Sequence, residues 1–187
     1  FLELGAPAAQ ELLRPIERAC FEIADTVHRT PAIQSVVLPF QRRVGRAWVS
    51  ASTGRLRHVT GAEHVRDLDP DRGVVFVANH RSFFDFYVIT SVLYDTAPWL
   101  ERIYFPVRST FFYDGPLGVL VNAAMSGWAM FPPVMRGESR RAFNRYTTDF
   151  VVDALQTRGN VVGYHPEGTR SKGDDPYDLL PAQQGIG

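Results

Sequence analysis

The run Val74-Val75-Phe76-Val77-Ala78 constrains the fold more than any other stretch, being wholly apolar and closed by Gly73 on one side and a polar cluster on the other. A short unbroken apolar run predicts a parallel strand buried on both faces. The polar cluster spans Asn79 to Asp85, and the apolar periodicity from Phe84 through Leu93 predicts a helix behind it. Open α/β folds are assembled from such strand–turn–helix units, and their chemistry gathers at the carboxyl ends of the strands. The pattern recurs down the chain. Ile103 to Val107 is a second strand candidate, followed by a helix over Gly118 to Ala129. Phe131 to Met135 is a third, weakened by Pro132 and Pro133. Ser139 to Gln156 predicts a helix closed by Gly159, and Val161 to Tyr164 is a fourth strand that runs directly into His165–Ser171. With no repeat and no long linker, the expectation is an α/β fold: a single domain with a mostly parallel central sheet flanked by helices, preceded by an N-terminal helical segment.

That segment begins with residues 8–28, where Leu12, Ile16, Ala19, Ile23 and Val27 recur at helical spacing and Pro15 threatens a break. Residues 33–50 predict a second helix, whose Arg42, Arg43 and Arg46 are either a solvated face or an anchor on an anionic membrane. In the second case each cation contributes about 1 kcal/mol near the surface. Leu56 to Val59 is a short strand candidate, and Asp67 to Gly73 is a turn by composition. The division expected is residues 1–55 as a helical, candidate membrane-interfacial segment and 56–187 as a catalytic domain truncated at its C-terminal end. The last stretch, Lys172 to Gly187, has no strand signal.

Twenty Lys and Arg balance twenty Asp and Glu, which speaks against a nucleic-acid binder while permitting a local anion pocket. A single cysteine, Cys20, excludes an intrachain disulfide framework and a thiolate zinc cluster, and fits a reducing compartment. Pro116 to Met135 is uncharged, yet Asn122, Ser126 and three prolines make it a poor membrane span. A buried helix running into a strand fits it better.

Three clusters can carry chemistry. His80 and Asp85 lie close enough for the carboxylate to fold back on the imidazole if a helix starts near Ser82. A histidine so held keeps one tautomer and gains basicity, as abstraction of a hydroxyl proton requires. The bland alternative is a pair of capping residues. No Gly-x-Ser-x-Gly elbow is present, so a covalent nucleophile is not indicated. In His165-Pro166-Glu167-Gly168-Thr169-Arg170-Ser171, Glu167 and Arg170 either pair with each other or leave Arg170 free to meet a phosphate. Arg136 sits at a predicted strand end, apart from the solvated run at Arg140 and Arg141. His80, Asp85, His165 and Glu167 match no standard metal spacing, so no metal is expected.

Asn79-His80-Arg81-Ser82-Phe83-Phe84-Asp85 resembles the His-x4-Asp signature of the glycerolipid acyltransferase superfamily, which includes glycerol-3-phosphate and 1-acylglycerol-3-phosphate acyltransferases. Pro166-Glu167-Gly168-Thr169-Arg170-Ser171 resembles its second signature, and Phe131–Arg136 the block between them, all in family order over about residues 60–187. The resemblance implies that His80 is the general base on an acceptor hydroxyl and that Asp85 orients it. Arg136, Glu167, Gly168 and Arg170 would hold a glycerophosphate acceptor, with Thr169 and Ser171 as lesser contributors. The implied acceptor is a glycerophosphate or lysophospholipid, above all 1-acylglycerol-3-phosphate. The acyl donor would be acyl-CoA or acyl-carrier protein as co-substrate, with no further cofactor. The expected place of work is peripheral, on the cytoplasmic face of a membrane surface, with Phe83, Phe84 and Phe111–Tyr113 as a candidate acyl-chain wall.

The chain departs from the family at His165, where an aromatic or apolar residue is usual, and in the irregular block before Arg136. Two competing functions follow: a lipid- or protein-binding relative without turnover, and a thioester hydrolase in which water replaces the acceptor.

Overall fold

The computed structural model describes residues 10–137, 140–175, 177 and 179–183, the side chain of residue 141 excepted. Three helical stretches come first. Pro15 opens α1 (Pro15–Arg29), where its missing N–H and fixed φ are harmless. Pro31 likewise opens α2 (Pro31–Phe40). A widened turn, Gln41–Gly45, then leads into α3 (Arg46–Thr53). Two of the three arginines of this basic stretch find partners on the same molecule, and Arg43 is exposed. Arg42 donates to the Leu100 carbonyl, Arg46 pairs with Asp95 at 2.6 Å, and Arg57 beyond them holds Ser91.

After the short α4 (Ala62–Arg66), the α/β part runs β1 (Val74–Val77), α5 (Asp85–Thr96), β2 (Arg102–Tyr104), β3 (Val107–Arg108), α6 (Pro116–Val121), β4 (Pro133–Val134), α7 (Arg141–Leu155) and β5 (Asn160–Tyr164). Strands β1, β5 and β2 form a parallel sheet in that order, with Val74 opposite Val161 and Arg102 opposite Asn160. Strands β3 and β4 form a second parallel pair, Val107 opposite Pro133 and Arg108 opposite Val134. Helices flank this parallel centre and the N-terminal helices precede it, so the expected fold class stands.

Four local expectations need correction. Leu56–Val59 is loop, because it finds no neighbouring strand and leaves Leu56 86% exposed. The predicted strand Ile103–Val107 divides into β2 and β3 around Pro106, which has no N–H to continue a ladder. The expected third strand shrinks to Pro133–Val134 for the same reason, with a cis bond at Phe131–Pro132. Strand β1 is parallel, but it lies at the sheet edge with Val75 45% and Val77 53% exposed rather than buried on both faces.

One core joins the helical segment to the sheet. Phe21 of α1 is fully buried against Phe143 and Tyr146 of α7, edge to face at 5.2 and 5.3 Å. Glu17 is buried beside them and accepts from Arg14 and Arg140, which ties α1 to the start of α7. His28 stacks on Phe131 at 4.3 Å and bonds the Trp128 carbonyl through Nε2. Among the described residues no helix is long and apolar enough to cross a membrane.

Candidate active site

Strands β1 and β5 are neighbours and parallel, so their carboxyl ends release Asn79–Asp85 and His165–Ser171 side by side. The ladder continues past the strands, with Ala78 N–H donating to the Tyr164 carbonyl at 3.0 Å. His80 follows at once. Helix α5 starts at Asp85, three residues later than the start near Ser82 allowed for, and the carboxylate in its first turn folds back as expected. Asp85 Oδ2 accepts from His80 Nδ1 at 3.0 Å, from Arg81 N–H at 2.6 Å and from Ser82 N–H at 2.7 Å. Three donors on one oxygen hold this carboxylate in place. The imidazole proton is thereby placed on Nδ1, and Nε2 keeps its lone pair. Both side chains are about a fifth to a quarter exposed, enough for a ligand to reach them.

The second cluster clamps the backbone of His80. Glu167, 3% exposed, accepts the His80 N–H on Oε2 at 2.7 Å and the Leu180 N–H on Oε1 at 3.0 Å. Ser171 donates its N–H to the His80 carbonyl at 2.8 Å, and its buried hydroxyl accepts from Arg81 at 2.9 Å. Among the described residues Glu167 makes no ion pair with Arg170; backbone donors occupy both of its oxygens. Gly168 turns the chain at φ 64°, a conformation that glycine adopts without penalty, and beyond it Thr169 and Arg170 are exposed.

A cleft of ≈ 480 Å³ opens in front of His80. Arg108, Arg136 and Arg170 line it, with His165, Gly168 and Thr169, and among the described residues no acidic one does. The β3–β4 pair sets two of the arginines together, because Arg108 is opposite Val134 and Arg136 follows two residues on. Among the described residues none of the three guanidiniums has a carboxylate within ion-pair distance. Burial, and then the neighbouring charge of Arg136, holds the Arg108 pKa below its ordinary value. Cations crowded together without counter-charges form a site for an anion. A larger cleft of ≈ 640 Å³ lies beside β2, near Arg102 and Asp149. It contains neither cluster, so size does not identify the site here.

Donor atoms of His80, Asp85 and His165 lie within 4.8 Å of one another. The two imidazoles are nearly parallel, 8° apart in plane with centroids at 4.1 Å, so their in-plane lone pairs run side by side and do not converge on an ion. Each Nδ1 is also committed, to Asp85 or to the Ala78 carbonyl. The arrangement suits proton transfer better than coordination.

Residues 57–187 match the Acyltransferase family. The chain belongs to that family. Two curated relatives, the glycerol-3-phosphate acyltransferases of Shewanella sp. strain W3-18-1 and Shewanella putrefaciens strain CN-32, are each 32% identical over 126 residues, covering 62% of this chain and 13% of theirs. The chain therefore spans about an eighth of the length of those proteins. No solved structure matches it significantly.

Within this acyltransferase-family chain the structure brings His80, Asp85, Arg136, Gly168, Thr169 and Arg170 to the cleft or its edge, and turns Glu167 and Ser171 inward. Sequence reasoning missed Arg108 although the predicted strand Ile103–Val107 ends directly beside it. The available signal was the one that marked Arg136, a lone arginine after a short apolar run. Arg81 was missed too; it donates to Ser171 and to the Gly173 carbonyl, tying the two clusters together.

Proposed function

We propose that the protein transfers a fatty acyl group from acyl-CoA or acyl-carrier protein to a hydroxyl of a glycerophosphate acceptor, above all 1-acylglycerol-3-phosphate. Residues 56–187 are the catalytic unit, and the work takes place peripherally at the cytoplasmic face of a membrane. The observation that carries the proposal is a histidine–carboxylate pair opening onto a cleft that three arginines, and no acid among the described residues, line. His80 Nε2 takes the proton of the acceptor hydroxyl as its oxygen attacks the thioester carbonyl. Asp85 holds the resulting imidazolium. The C–S bond then breaks, and the thiolate leaves with the proton that His80 returns. The thioester is already activated, and this sequence of steps runs on side chains alone. Arg108, Arg136 and Arg170 hold the phosphate of the acceptor, which favours an anionic acceptor over water. Glu167 and Ser171 serve the reaction by fixing the His80 backbone. Phe83, Phe84 and Phe111 stand 39–50% exposed, with Phe83 packed edge to face on each of the other two, and offer acyl chains an apolar wall.

The test is transfer of a radiolabelled acyl group from palmitoyl-CoA or palmitoyl-acyl-carrier protein to glycerol-3-phosphate and to 1-acylglycerol-3-phosphate. His80→Ala and Asp85→Asn proteins are run beside the parent. The expected result is transfer that His80→Ala abolishes and Asp85→Asn lowers by about 10⁴-fold, because the amide reverses the tautomer preference. Free fatty acid as the only product would identify a hydrolase, and no turnover with any acceptor would leave a binding role.

A further inference from the structure

His165 is the least expected residue at the site. It follows β5 directly, and its ring lies flat against the ring of His80. Three observations fix its state. Nδ1 is 3.0 Å from the Ala78 carbonyl, which accepts only, so Nδ1 carries the proton. Nε2 is buried with no hydrogen-bond partner among the described residues. Phe105 closes one side of the ring at 4.8 Å, and Gly163 makes room for it, since a Cβ at 163 would stand 2.3 Å from the Phe105 ring. Neither nitrogen of His165 is thus disposed to exchange a proton with a ligand. Burial also presses its pKa below that of an ordinary histidine, and the charge of a protonated His80 acts in the same direction.

We propose that His165 is a positioning residue, a neutral planar floor that holds the His80 imidazole flat so that Nδ1 stays on Asp85 and Nε2 stays aimed into the cleft. The inference rests on His80 being the base of the proposed transfer. The anchor matters because the Ala78 carbonyl lies two residues before His80 on the same strand exit. Ala78 N–H and C=O, the His80 N–H and the His80 C=O are all bonded by residues 164–171. The main chain of His80 is therefore fixed from one side, and its ring has two further restraints, the Asp85 bond at its edge and His165 on its face. A ring pivoting about the Asp85 bond would swing Nε2 away from the hydroxyl. A misplacement of about 1 Å can lower the rate about 10²-fold. A neutral π face also tolerates the imidazolium that forms during transfer, whereas a charged one would oppose it.

The decisive comparison is His165→Phe against His165→Leu, which share apolarity while only the first keeps a flat ring. With palmitoyl-CoA and 1-acylglycerol-3-phosphate, His165→Phe is expected to keep kcat within about 3-fold. His165→Leu is expected to lose about 10-fold or more in kcat with both KM values unchanged. If the Leu protein does not fold, His165→Met makes the same comparison. Equal kcat in the Phe and Leu proteins would overturn the proposal. So would equal loss in both, which would mean that an imidazole nitrogen is itself needed. A second measurement does not depend on turnover: ¹⁵N–¹H spectra of the His80 ring. A single Nδ1–H tautomer with a ring-shifted Hε1 is expected in the parent and Phe proteins, and averaged signals in Leu. If the parent transfers no acyl group, the proposed activity fails while this measurement still decides the role of His165. An unchanged His80 spectrum in the Leu protein would refute it.

Discussion

Replacing Glu167 separates two roles that its sequence context does not distinguish. A glutamate that grips the acceptor would raise the acceptor KM when changed and leave the fold alone. The structure places its carboxylate inside the protein, accepting two backbone N–H groups at 2.7 and 3.0 Å. Removing an acceptor from a buried donor costs about 1–3 kcal/mol, and both bonds here are charge-assisted but only part-buried. Glu167→Ala should therefore lower the unfolding free energy by about 2–4 kcal/mol, a large share of the 5–15 kcal/mol typical of a domain. Glu167→Gln keeps one acceptor oxygen and turns an NH2 toward the other donor, so about 1–2 kcal/mol is lost. Urea denaturation followed by tryptophan fluorescence measures this. In the folded Gln protein, steady-state kinetics should show kcat reduced about 10-fold or more with acceptor KM held within 2-fold, because the error falls on His80. A Gln protein with parent stability and parent kcat, altered only in acceptor KM, would refute the positioning argument and return Glu167 to the substrate.

Arg108→Ala should raise the acceptor KM about 10- to 100-fold, with a weaker dependence of KM on salt than the parent shows, since one phosphate contact is worth a charge-assisted bond. Kinetics at 50 and 300 mM NaCl check this, and an unchanged KM would exclude Arg108 from the anion site. His28 predicts a pH dependence of stability away from the site. Burial pushes its pKa from 6.5 down to about 4, against only the Trp128 carbonyl bond and the nearby Asp25 charge. The unfolded chain takes up that proton near pH 6.5 and the folded one near 4, so stability falls by about 3 kcal/mol as pH drops through that window. Urea midpoints at pH 7 and 4.5 should converge when His28 is changed to Phe.

The sequence carried the fold class because it needed only the order of elements. The apolar runs at 74–78 and 161–164 are strands, and the periodic segments after them are helices. What it could not carry were neighbours. Val75 and Val77 look like core residues by composition, and only the sheet order shows that β1 is an edge. Leu56–Val59 has strand-like side chains but no strand beside it. Pro106 is the visible reason to split the second strand, and Arg108 stands directly beside the predicted end of that strand. At the site, the spacing of His80 and Asp85 was legible because both belong to one turn. The partners of Glu167 were not, since they are backbone N–H groups at positions 80 and 180, which no residue type announces.

The seven residues from His165 to Ser171 act in two directions, and the backbone explains how. His165 and Glu167 face inward, one against the ring of His80 and the other against its N–H. At Gly168 the chain passes through φ 64°, closes a turn onto the His165 carbonyl at 3.0 Å and reverses outward. Thr169 and Arg170 then stand exposed along the cleft, before Ser171 turns back to hold the His80 carbonyl. An extended segment would also have alternated its side chains, but over about 20 Å, too far to touch one histidine at both ends. The turn brings the two ends together. The same short segment can then fix His80 and present a guanidinium beside it, so the distance between the proposed base and the proposed phosphate site is set within one loop.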